Sequence, residues 1–272
     1  MISIIVCSRK DDISADLKQN IAETVGCQYE LVIIGNPENR YTIFTAYNEG
    51  VSRSKGDIVC FMHDDVLFRT REWGSIITRH FVEDERIGMI GFAGTHFLPD
   101  TPMYWYSSPF ISQRNLNNDN GIVEEHFHEG WFGHRTVIEA VAVDGFCFFV
   151  QKGLFEKVRF DEKTYTGFHI YDMDLCMQVI DAGYKVCVCR DILIEHCWSE
   201  ESQFTKKGSE LFLHNLGLFV NVWQHRLPIW RGLDLPEEVF ERVNGLYKAA
   251  YQKRNLKFSH ILWQTIRKMF RK

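Results

Sequence analysis

Three polar residues, His63, Asp64 and Asp65, follow directly on the apolar run Ile58–Met62. That run has the length and composition of a buried strand. Two carboxylates and an imidazole at a strand end are costly unless they are solvated, hydrogen-bonded or coordinated to a cation. Ligands of open α/β sheets gather outside the carboxyl ends of the strands. The stretch therefore indicates a strand that delivers oxygen and nitrogen ligands to a metal or phosphate site.

Three interpretations fit this stretch when it is taken by itself. The first is an acidic polar turn without any chemistry. The second is the His-Asp pair of metal-dependent phosphohydrolases, which normally sits on helices and needs further His and Asp residues at helical spacing. The third is an Asp-rich strand end that holds a divalent cation against a nucleotide diphosphate.

The elements that must position these residues follow the order strand, helix, strand, helix, strand. Residues 2–7 and 29–34 are apolar runs of strand length, and helical patterns cover residues 17–25 and 41–53. This alternation is typical of the beginning of a parallel, doubly wound sheet. The sequence contains no Gly-x-Gly-x-x-Gly and no Walker Gly-Lys-Ser/Thr loop, so neither dinucleotide nor P-loop chemistry is indicated.

The alternation of strands and helices lapses between residues 95 and 137. Aromatic residues there flank a polar segment at 115–121. A stretch of this length without a pattern predicts a lid, a binding surface or disorder. Its histidines, His126, His128 and His134, are more typical of solvated loop side chains than of a metal site.

The composition is that of an ordinary soluble globular protein, with 45% hydrophobic and 25% charged residues among 272. No run of about 18 apolar residues exists, and the N-terminus enters a strand without a basic segment. We therefore expect neither a transmembrane helix nor a signal peptide. The eight cysteines are scattered without a Cys-x-x-Cys pair, and reduced thiols predict a cytoplasmic protein.

Charge is distributed unevenly along the chain. All 36 acidic residues lie at or before Glu241, whereas nine of the 31 basic residues follow it. The acidic body argues against nucleic-acid binding. Residues 257–272 are amphipathic and basic, which suits a helix lying peripherally on the inner face of an anionic membrane. A helix packed on its own domain, or on a second subunit of a homodimer, is the alternative.

Further short motifs follow the acidic stretch in a fixed order. They are Asn48-x-Gly50, Ser54-Lys55-Gly56-Asp57, Val143-Asp144-Gly145, Phe155-Glu156-Lys157-Val158-x-Phe160-Asp161-Glu162, Asp172-x-Asp174-Leu175, Ala182-Gly183-Tyr184-Lys185 and His196. Each is weak alone. In this order and spacing, over roughly residues 2–200, they resemble the family 2 glycosyltransferases of the GT-A fold, which are inverting and metal-dependent.

The resemblance implies the fold class and the domain organisation. We expect an α/β fold of the GT-A type, with a doubly wound, mixed and mainly parallel sheet flanked by helices. The GT-A domain would span residues 1–230, with a nucleotide-binding half at 1–95 and an acceptor half at 96–230. A basic, helical C-terminal extension would cover 231–272.

The resemblance also implies a metal site. Asp65 would coordinate a Mn²⁺ or Mg²⁺ ion that bridges the two phosphates of the donor. His63 stands where an Asp is usual and is expected to be a further ligand of the ion, and Asp64 is expected to contribute to donor binding beside it. His196 matches a histidine that completes the metal shell in many members.

Asp172 matches the catalytic Asp of the family, although Tyr171 stands where a Glu usually precedes it. Residues two apart on a helix point roughly 200° away from each other. Asp172 and Asp174 therefore cannot both face one cleft, and we expect Asp174 to have a structural role.

The donor is expected over the ends of the first two strands. Ser8 and Arg9 are placed to bind it, and Asn36 sits where the family often has an Asp that contacts the base or ribose. Gly145 is expected to allow close backbone approach near the sugar or acceptor. Trp105 and Trp131 are candidate acceptor platforms on the predicted lid.

These roles predict transfer of a sugar, with inversion, from a nucleotide-diphosphate sugar to a hydroxyl of a glycan or lipid-linked glycan. A UDP-sugar is the favoured donor. A catalytically inert nucleotide-sugar-binding or scaffold protein of the same fold is the main alternative, because His63 and Tyr171 depart from the family pattern. A sugar-phosphate nucleotidylyltransferase is less favoured, since Ser8-Arg9-Lys10-Asp11 is not the Gly-rich loop that it needs.

Overall fold

The computed structural model of the chain describes residues 1–103, 105–119, 122–127, 132–197 and 206–252, and the side chains of 119, 122–127 and 206–209 lie outside that description. The helices are α1 (Ala15–Thr24), α2 (Ile43–Arg53), α3 (Trp73–Glu83), α4 (Tyr171–Asp181), α5 (Lys206–Trp223) and α6 (Glu237–Gln252). Single 3₁₀ turns cover Trp105–Ser107 and Lys152–Glu156. The strands are β1 (Ile2–Ser8), β2 (Tyr29–Gly35), β3 (Ile58–Met62), β4 (Val66–Phe68), β5 (Ile87–Gly91), β6 (Ala93–Thr95), β7 (Phe97–Leu98), β8 (Ile111–Asp119), β9 (Ile122–Phe127), β10 (Val137–Ala140), β11 (Ala142–Val143), β12 (Cys147–Gln151), β13 (Lys185–Cys189), β14 (Ile194–His196) and β15 (Ile229–Trp230).

A seven-stranded mixed sheet, in the order β10-β13-β5-β12-β3-β1-β2, forms the centre of the fold. The pairs β1–β2, β1–β3 and β13–β5 are parallel, whereas β12 lies antiparallel between β3 and β5. Every residue of β3 and β5 is buried, as expected for strands whose two faces are both covered. The predicted α/β fold with a mixed sheet and flanking helices is confirmed. The sheet is not mainly parallel, because three of its six described strand pairs are parallel and three are antiparallel.

The packing of α2 explains one of the short sequence motifs. A Cβ atom at Gly50 would lie 2.4 Å from Ile5 Cγ2 of β1, so a glycine lets the helix approach the strand closely. Two residues earlier, the Asn48 side chain donates to the Phe160 carbonyl at 2.9 Å and accepts from the Phe160 amide at 3.2 Å. The Asn-x-Gly motif thus fixes α2 against the sheet on one side and a distant loop on the other.

A second sheet, in the order β11-β6-β8-β14-β4 with β9 paired to β8, is built largely from residues 93–143. The expectation of a long loop at 95–137 was therefore wrong over much of that stretch, and its use as a binding surface stays a prediction. Strand β8 is polar, and its buried residues pair with polar neighbours rather than with an apolar core. His96 Nε2 lies 2.7 Å from Ser112 Oγ, and the side-chain Nδ2 of Asn115 donates to Asn117 Oδ1 at 2.6 Å. Such a strand lacks the apolar alternation by which strands are recognised.

Helix α6 packs against the same chain. Its buried side chains Phe240, Val243 and Tyr247 form a second apolar cluster with Phe97 and Phe110. The first half of the predicted extension therefore has a packed core, while the domain boundary at residue 230 stays a prediction. The basic segment at 257–272 lies outside the described residues. Among the described helices, none has both the length and the apolar character that a membrane crossing requires.

Candidate active site

The ends of three strands meet at one edge of the central sheet. His63, Asp64 and Asp65 form the turn between β3 and β4, and the His63 amide donates to the Phe146 carbonyl at 2.9 Å. Because β12 runs antiparallel to β3, the residues just before β12 lie beside this turn. Strand β14 pairs with β4, and the Cys197 amide donates to the Asp65 carbonyl at 2.7 Å. This pairing brings His196 next to Asp65.

The three residues predicted as metal ligands lie together in the structure. One donor atom from each of His63, Asp65 and His196 lies within 4.8 Å of the others. His196 Nε2 is 3.4 Å from Asp65 Oδ1, which is too long for a well-formed hydrogen bond to a carboxylate. Among the described residues, this buried Oδ1 has no hydrogen-bond partner. Two imidazoles around an unsatisfied carboxylate oxygen fit a divalent cation.

The electrostatics of this group favour the metal-binding forms of His63 and Asp65 but shift His196 toward its protonated form. Burial lowers the pKa of His63 to about 4, so its imidazole is neutral. Burial raises the pKa of Asp65, but the His196 contact outweighs it and leaves this pKa below its ordinary value. For His196, burial lowers the pKa and the Asp65 contact raises it more, for a net rise. A neutral imidazole and an ionised carboxylate are the forms that bind metal.

Asp172 is the second residue of α4 and is 9% exposed. Its Oδ1 accepts a hydrogen bond from the Met173 amide at 2.8 Å. Burial, followed by the negative charge of Asp144, raises the pKa of Asp172 to about 7. A carboxylate with a pKa near the working pH is suited to act as a general base.

The helix that carries Asp172 begins at a strained residue. Ile170, which precedes α4, has a φ of 76°, a left-handed conformation that is an outlier for a β-branched residue. Such conformations cluster at functional sites, where the surrounding structure holds them in place. Here Ile170 is 2% exposed and packs in the main core, which fixes the direction in which α4 starts.

Asp174 has the structural surroundings that its helical position predicted. Its Oδ1 accepts from Trp223 Nε1 at 2.8 Å and from the Tyr165 hydroxyl at 3.2 Å, and its Oδ2 accepts from Gln178 Nε2 at 2.7 Å. The Asp174 side chain therefore connects α4 to α5. Asp172 remains the candidate for the general base.

The residues predicted to bind the donor lie at the ends of β1 and β2. The Ser8 hydroxyl is buried and donates to Asp64 Oδ2 at 2.6 Å, which connects β1 to the acidic turn. Asn36 donates its amide N–H to the Ser8 carbonyl at 2.8 Å, and its side chain closes a loop through the main chain of Tyr41. Arg9 is exposed at the same edge. Ser8 thus lies beside Asp64, while Arg9 and Asn36 follow the ends of β1 and β2. The contact of these residues with a donor stays a prediction.

Gly145 leaves room for a tyrosine. A Cβ atom at this position would lie 2.2 Å from the Tyr171 hydroxyl oxygen. That hydroxyl donates to the Gly145 carbonyl at 3.1 Å and lies 3.0 Å from His63 Nε2. The predicted contact of Gly145 with a sugar or acceptor stays a prediction, and the observed close approach is to Tyr171.

Of the two tryptophans predicted as acceptor platforms, one lies among the described residues. Trp105 is 2% exposed, so it cannot offer a ring face to an acceptor and that prediction was wrong. Trp131 lies outside the described residues.

A family model described as "Glycosyltransferase like family" matches residues 3–212 of the chain. The chain belongs to this glycosyltransferase-like family. No curated protein sequence matches it.

Solved structures share the fold of this glycosyltransferase-like chain. The structure of S. aureus TarS 1-349 has a TM-score of 0.53 at 11% identity, over 94% of this chain and 74% of that one. TarS 1-349 in complex with UDP-GlcNAc gives 0.50 at 11% identity, over 97% and 79%. GalNAc-T7 with UDP, GalNAc and Mn²⁺ gives 0.51 at 9% identity, over 79% and 47%, so the chain spans about half of that protein. Identities this low show the fold alone, which is of the GT-A type.

The sequence of this glycosyltransferase-like chain did not reveal two residues of the site. Asp144 is half-buried, and its negative charge is the second cause, after burial, of the raised pKa of Asp172. Phe168 is 48% exposed, and its ring centroid lies 5.5 Å from that of His63. Asp144 belongs to the Val143-Asp144-Gly145 motif, whose position in the order of motifs indicated the family but gave Asp144 no role. For Phe168, nothing in the local pattern distinguishes an exposed aromatic side chain from a buried one.

A second group of metal-binding residue types lies outside this site. His80 Nε2 is 3.0 Å from Asp191 Oδ2, and the Cys189 thiol donates to Asp191 Oδ1 at 2.7 Å. Each of these atoms already has a partner in the group, unlike Asp65 Oδ1. His80 also lines a cavity of about 540 Å³ together with Glu139 and Lys185. None of the predicted site residues lines that cavity, and we assign it no role in the chemistry.

Proposed function

We propose that the chain is a metal-dependent, inverting glycosyltransferase that uses a UDP-sugar and transfers its sugar to a hydroxyl of a glycan or lipid-linked glycan. The observation that carries the proposal is the unsatisfied Asp65 oxygen beside two imidazoles, close to the buried Asp172 carboxylate, which directly follows the His63 contact Tyr171. Family membership supports the transfer chemistry.

His63, Asp65 and His196 would hold the divalent cation. Imidazole nitrogen lies outside the usual preference of Mg²⁺, which favours oxygen ligands and water. The donor set therefore favours Mn²⁺ over Mg²⁺, and GalNAc-T7 was solved with Mn²⁺ and UDP. When bound, such an ion would supply charge neutralisation for a diphosphate leaving group.

Asp172 would act as the general base. Its carboxylate takes the proton of the acceptor hydroxyl while that oxygen forms a bond to the anomeric carbon. The bond from this carbon to the diphosphate oxygen breaks on the opposite face, which inverts the configuration. A positioned base typically contributes ~10²–10⁴ in rate.

The donor is proposed to lie over the ends of β1 and β2, where Ser8, Arg9 and Asn36 follow their strands. The choice of uridine rests on the structural neighbours, which were solved with UDP or UDP-GlcNAc. In this arrangement Asp64, already bonded to Ser8, would orient toward the ribose or phosphate side of the donor.

A calorimetric titration with UDP, GDP and dTDP, each with Mn²⁺ or with EDTA, tests the donor site. We expect UDP to bind in the presence of Mn²⁺ and to lose most of its affinity in EDTA. If the folded protein binds none of the three nucleotides, the proposal fails and an inert scaffold of the same fold becomes the better description. That alternative is favoured only by the unusual residues His63 and Tyr171.

A lipid-linked acceptor would place the chain at the inner face of a membrane. We propose that the basic segment 257–272 provides this contact, with a homodimer contact as the alternative. Flotation with phosphatidylglycerol vesicles would compare the full chain with a chain ending at residue 256. We expect only the full chain to float, and equal flotation of both would eliminate the anchor.

A further inference from the structure

The two positions that depart from the family 2 pattern are in direct contact. His63 Nε2 lies 3.0 Å from the hydroxyl oxygen of Tyr171, although the residues are 108 apart in sequence. The same hydroxyl is 3.1 Å from the Gly145 carbonyl oxygen. The three groups form a short chain of hydrogen bonds from Gly145, just before β12, through α4 to His63, just after β3. Tyr171 is only 4% exposed, so its hydroxyl is not simply solvated.

The direction of this hydrogen-bond chain follows from the chemistry of its members. A backbone carbonyl oxygen only accepts, so the single hydroxyl proton of Tyr171 is donated to Gly145. The hydroxyl oxygen is then left to accept from His63 Nε2. A neutral imidazole carries one N–H, and here that proton lies on Nε2. The other nitrogen, Nδ1, consequently carries the lone pair.

We infer that Tyr171 is a positioning residue, which fixes His63 in the Nε2-protonated tautomer and leaves Nδ1 as the nitrogen offered to the divalent cation. The inference rests on the proposed function, because it takes His63 as a metal ligand. A histidine that binds a metal almost always donates its other ring N–H to a neighbouring acceptor, and that acceptor sets the tautomer and ring orientation. In this chain a tyrosine hydroxyl performs that role.

Gly145 is part of the same arrangement. A Cβ atom there would lie 2.2 Å from the Tyr171 hydroxyl oxygen and 2.5 Å from Cζ. Any other residue at 145 would push the ring away from His63 and from the carbonyl that takes its proton. The pairing thus accounts for a histidine at 63, a tyrosine at 171 and a glycine at 145 together.

Substitution Tyr171→Phe removes the hydroxyl and keeps the ring. That ring has aromatic neighbours, with centroids 5.6 Å from Tyr47 and 6.3 Å from Phe44, and phenylalanine preserves these contacts. Tyr165→Phe is a matched control, because Tyr165 is also buried and its hydroxyl bonds to Asp174 instead. Both variants lose one buried hydroxyl, but only one of them loses the partner of His63.

The experiment has two readouts. Imidazole ¹⁵N chemical shifts of His63, recorded on the metal-free protein at pH 7.5, report the tautomer, and Mn²⁺ titration calorimetry reports the affinity. We expect the Nε2-protonated form in the wild type and in Tyr165→Phe, and a mixture of tautomers in Tyr171→Phe. We expect Mn²⁺ affinity to fall 10- to 100-fold in Tyr171→Phe alone, the range typical for loss of such partners.

Two results would overturn the inference. One is a wild-type protein whose His63 is protonated on Nδ1, which needs no variant to fold. The other is a folded Tyr171→Phe protein that binds Mn²⁺ as the wild type does. If the wild type binds neither Mn²⁺ nor UDP, the proposed function and the ligand role of Nδ1 fail together. The ¹⁵N spectrum still decides separately whether Tyr171 fixes the tautomer.

Discussion

Asp172 and Asp174 lie two residues apart on α4 and have opposite surroundings. Asp174 accepts three side-chain hydrogen bonds, from Trp223, Tyr165 and Gln178. Asp172 accepts from the main chain at the start of its own helix. Both carboxyl groups are buried, and burial raises the pKa of each. The difference in partners is what separates a carboxylate that can exchange a proton from one that holds two helices together.

Substitution Asp172→Asn should reduce kcat at least ~10²-fold, because a positioned general base contributes ~10²–10⁴. The amide keeps the size of the side chain, so affinity for UDP with Mn²⁺ should stay within twofold of the wild type. Steady-state kinetics and calorimetry on the same preparation check both statements. Normal turnover by this variant would show that Asp172 is not the base.

Activity and stability should respond to pH in opposite directions around Asp172. Burial first, and the charge of Asp144 second, raise its pKa to about 7 from an ordinary value of 3.8. The ionised base accumulates as pH rises through 7, so kcat should rise between pH 6 and 8 and then level off. The folded protein binds more protons than the unfolded chain between about pH 4 and 7. The contribution of Asp172 to the free energy of unfolding therefore falls as pH rises through that window.

The control for this pH dependence is Asp172→Asn, which has no titrating group at the position. The difference in melting temperature between variant and wild type should grow in favour of the variant from pH 4 to pH 7 and stay constant above it. Comparing the two proteins cancels the carboxyl groups that do not interact with Asp172, because those groups titrate alike in both. A difference that does not change with pH would contradict the raised pKa.

Trp223→Phe should destabilise the fold without weakening donor binding. Trp223 Nε1 donates to the buried Asp174 Oδ1 at 2.8 Å and so connects α5 to α4. Hydrogen bonds to charged groups contribute about 1.5–3 kcal/mol, and we expect a loss of that size in the free energy of unfolding by urea. Trp230→Phe is the matched control, since that ring stacks on Phe240. Equal losses in the two variants would argue against the Asp174 bond.

The sequence predicts those parts of the fold that are buried on both faces. Strands β1, β3 and β12 are apolar runs because helices or other strands cover them on each side, and such runs are visible without a structure. Strand β8 is not visible in this way. Its buried Ser112 hydroxyl pairs with His96 and its Asn115 side-chain N–H pairs with Asn117, and those partners are known only once the second sheet is formed.

The order of the sequence motifs predicted which residues form the candidate site. It did not predict the contacts between residues within the site. His63, Asp65 and His196 were placed together by resemblance, and the structure brings them together. The contact between His63 and Tyr171 depends on the antiparallel register of β12 against β3 and on the direction in which α4 starts. No local sequence pattern encodes either of these. His63 and Tyr171, which depart separately from the family pattern in the sequence, are in contact in the structure.

Substitution Asp65→Asn should abolish Mn²⁺-dependent UDP binding. An amide removes the negative charge while keeping the shape, and the oxygen it would offer is a weaker metal ligand than the unsatisfied carboxylate Oδ1. We expect the affinity for UDP with Mn²⁺ to fall to the level that the wild type shows in EDTA. The variant should also lower the pKa of His196, because the Asp65 contact is what raises that pKa against burial; a ¹H–¹⁵N titration of the imidazole measures this.

The control for Asp65→Asn is Asp57→Asn, at an acidic residue whose side chain is 89% exposed and pairs with the N-terminal amine. It carries the same change of charge, so it corrects for any general effect of net charge on binding an anionic nucleotide. We expect it to bind UDP and Mn²⁺ as the wild type does. If Asp65→Asn keeps metal-dependent UDP binding while the His196 pKa falls as expected, the carboxylate orients the histidine and the cation is held elsewhere. If both properties stay unchanged, the group of His63, Asp65 and His196 is not the metal site.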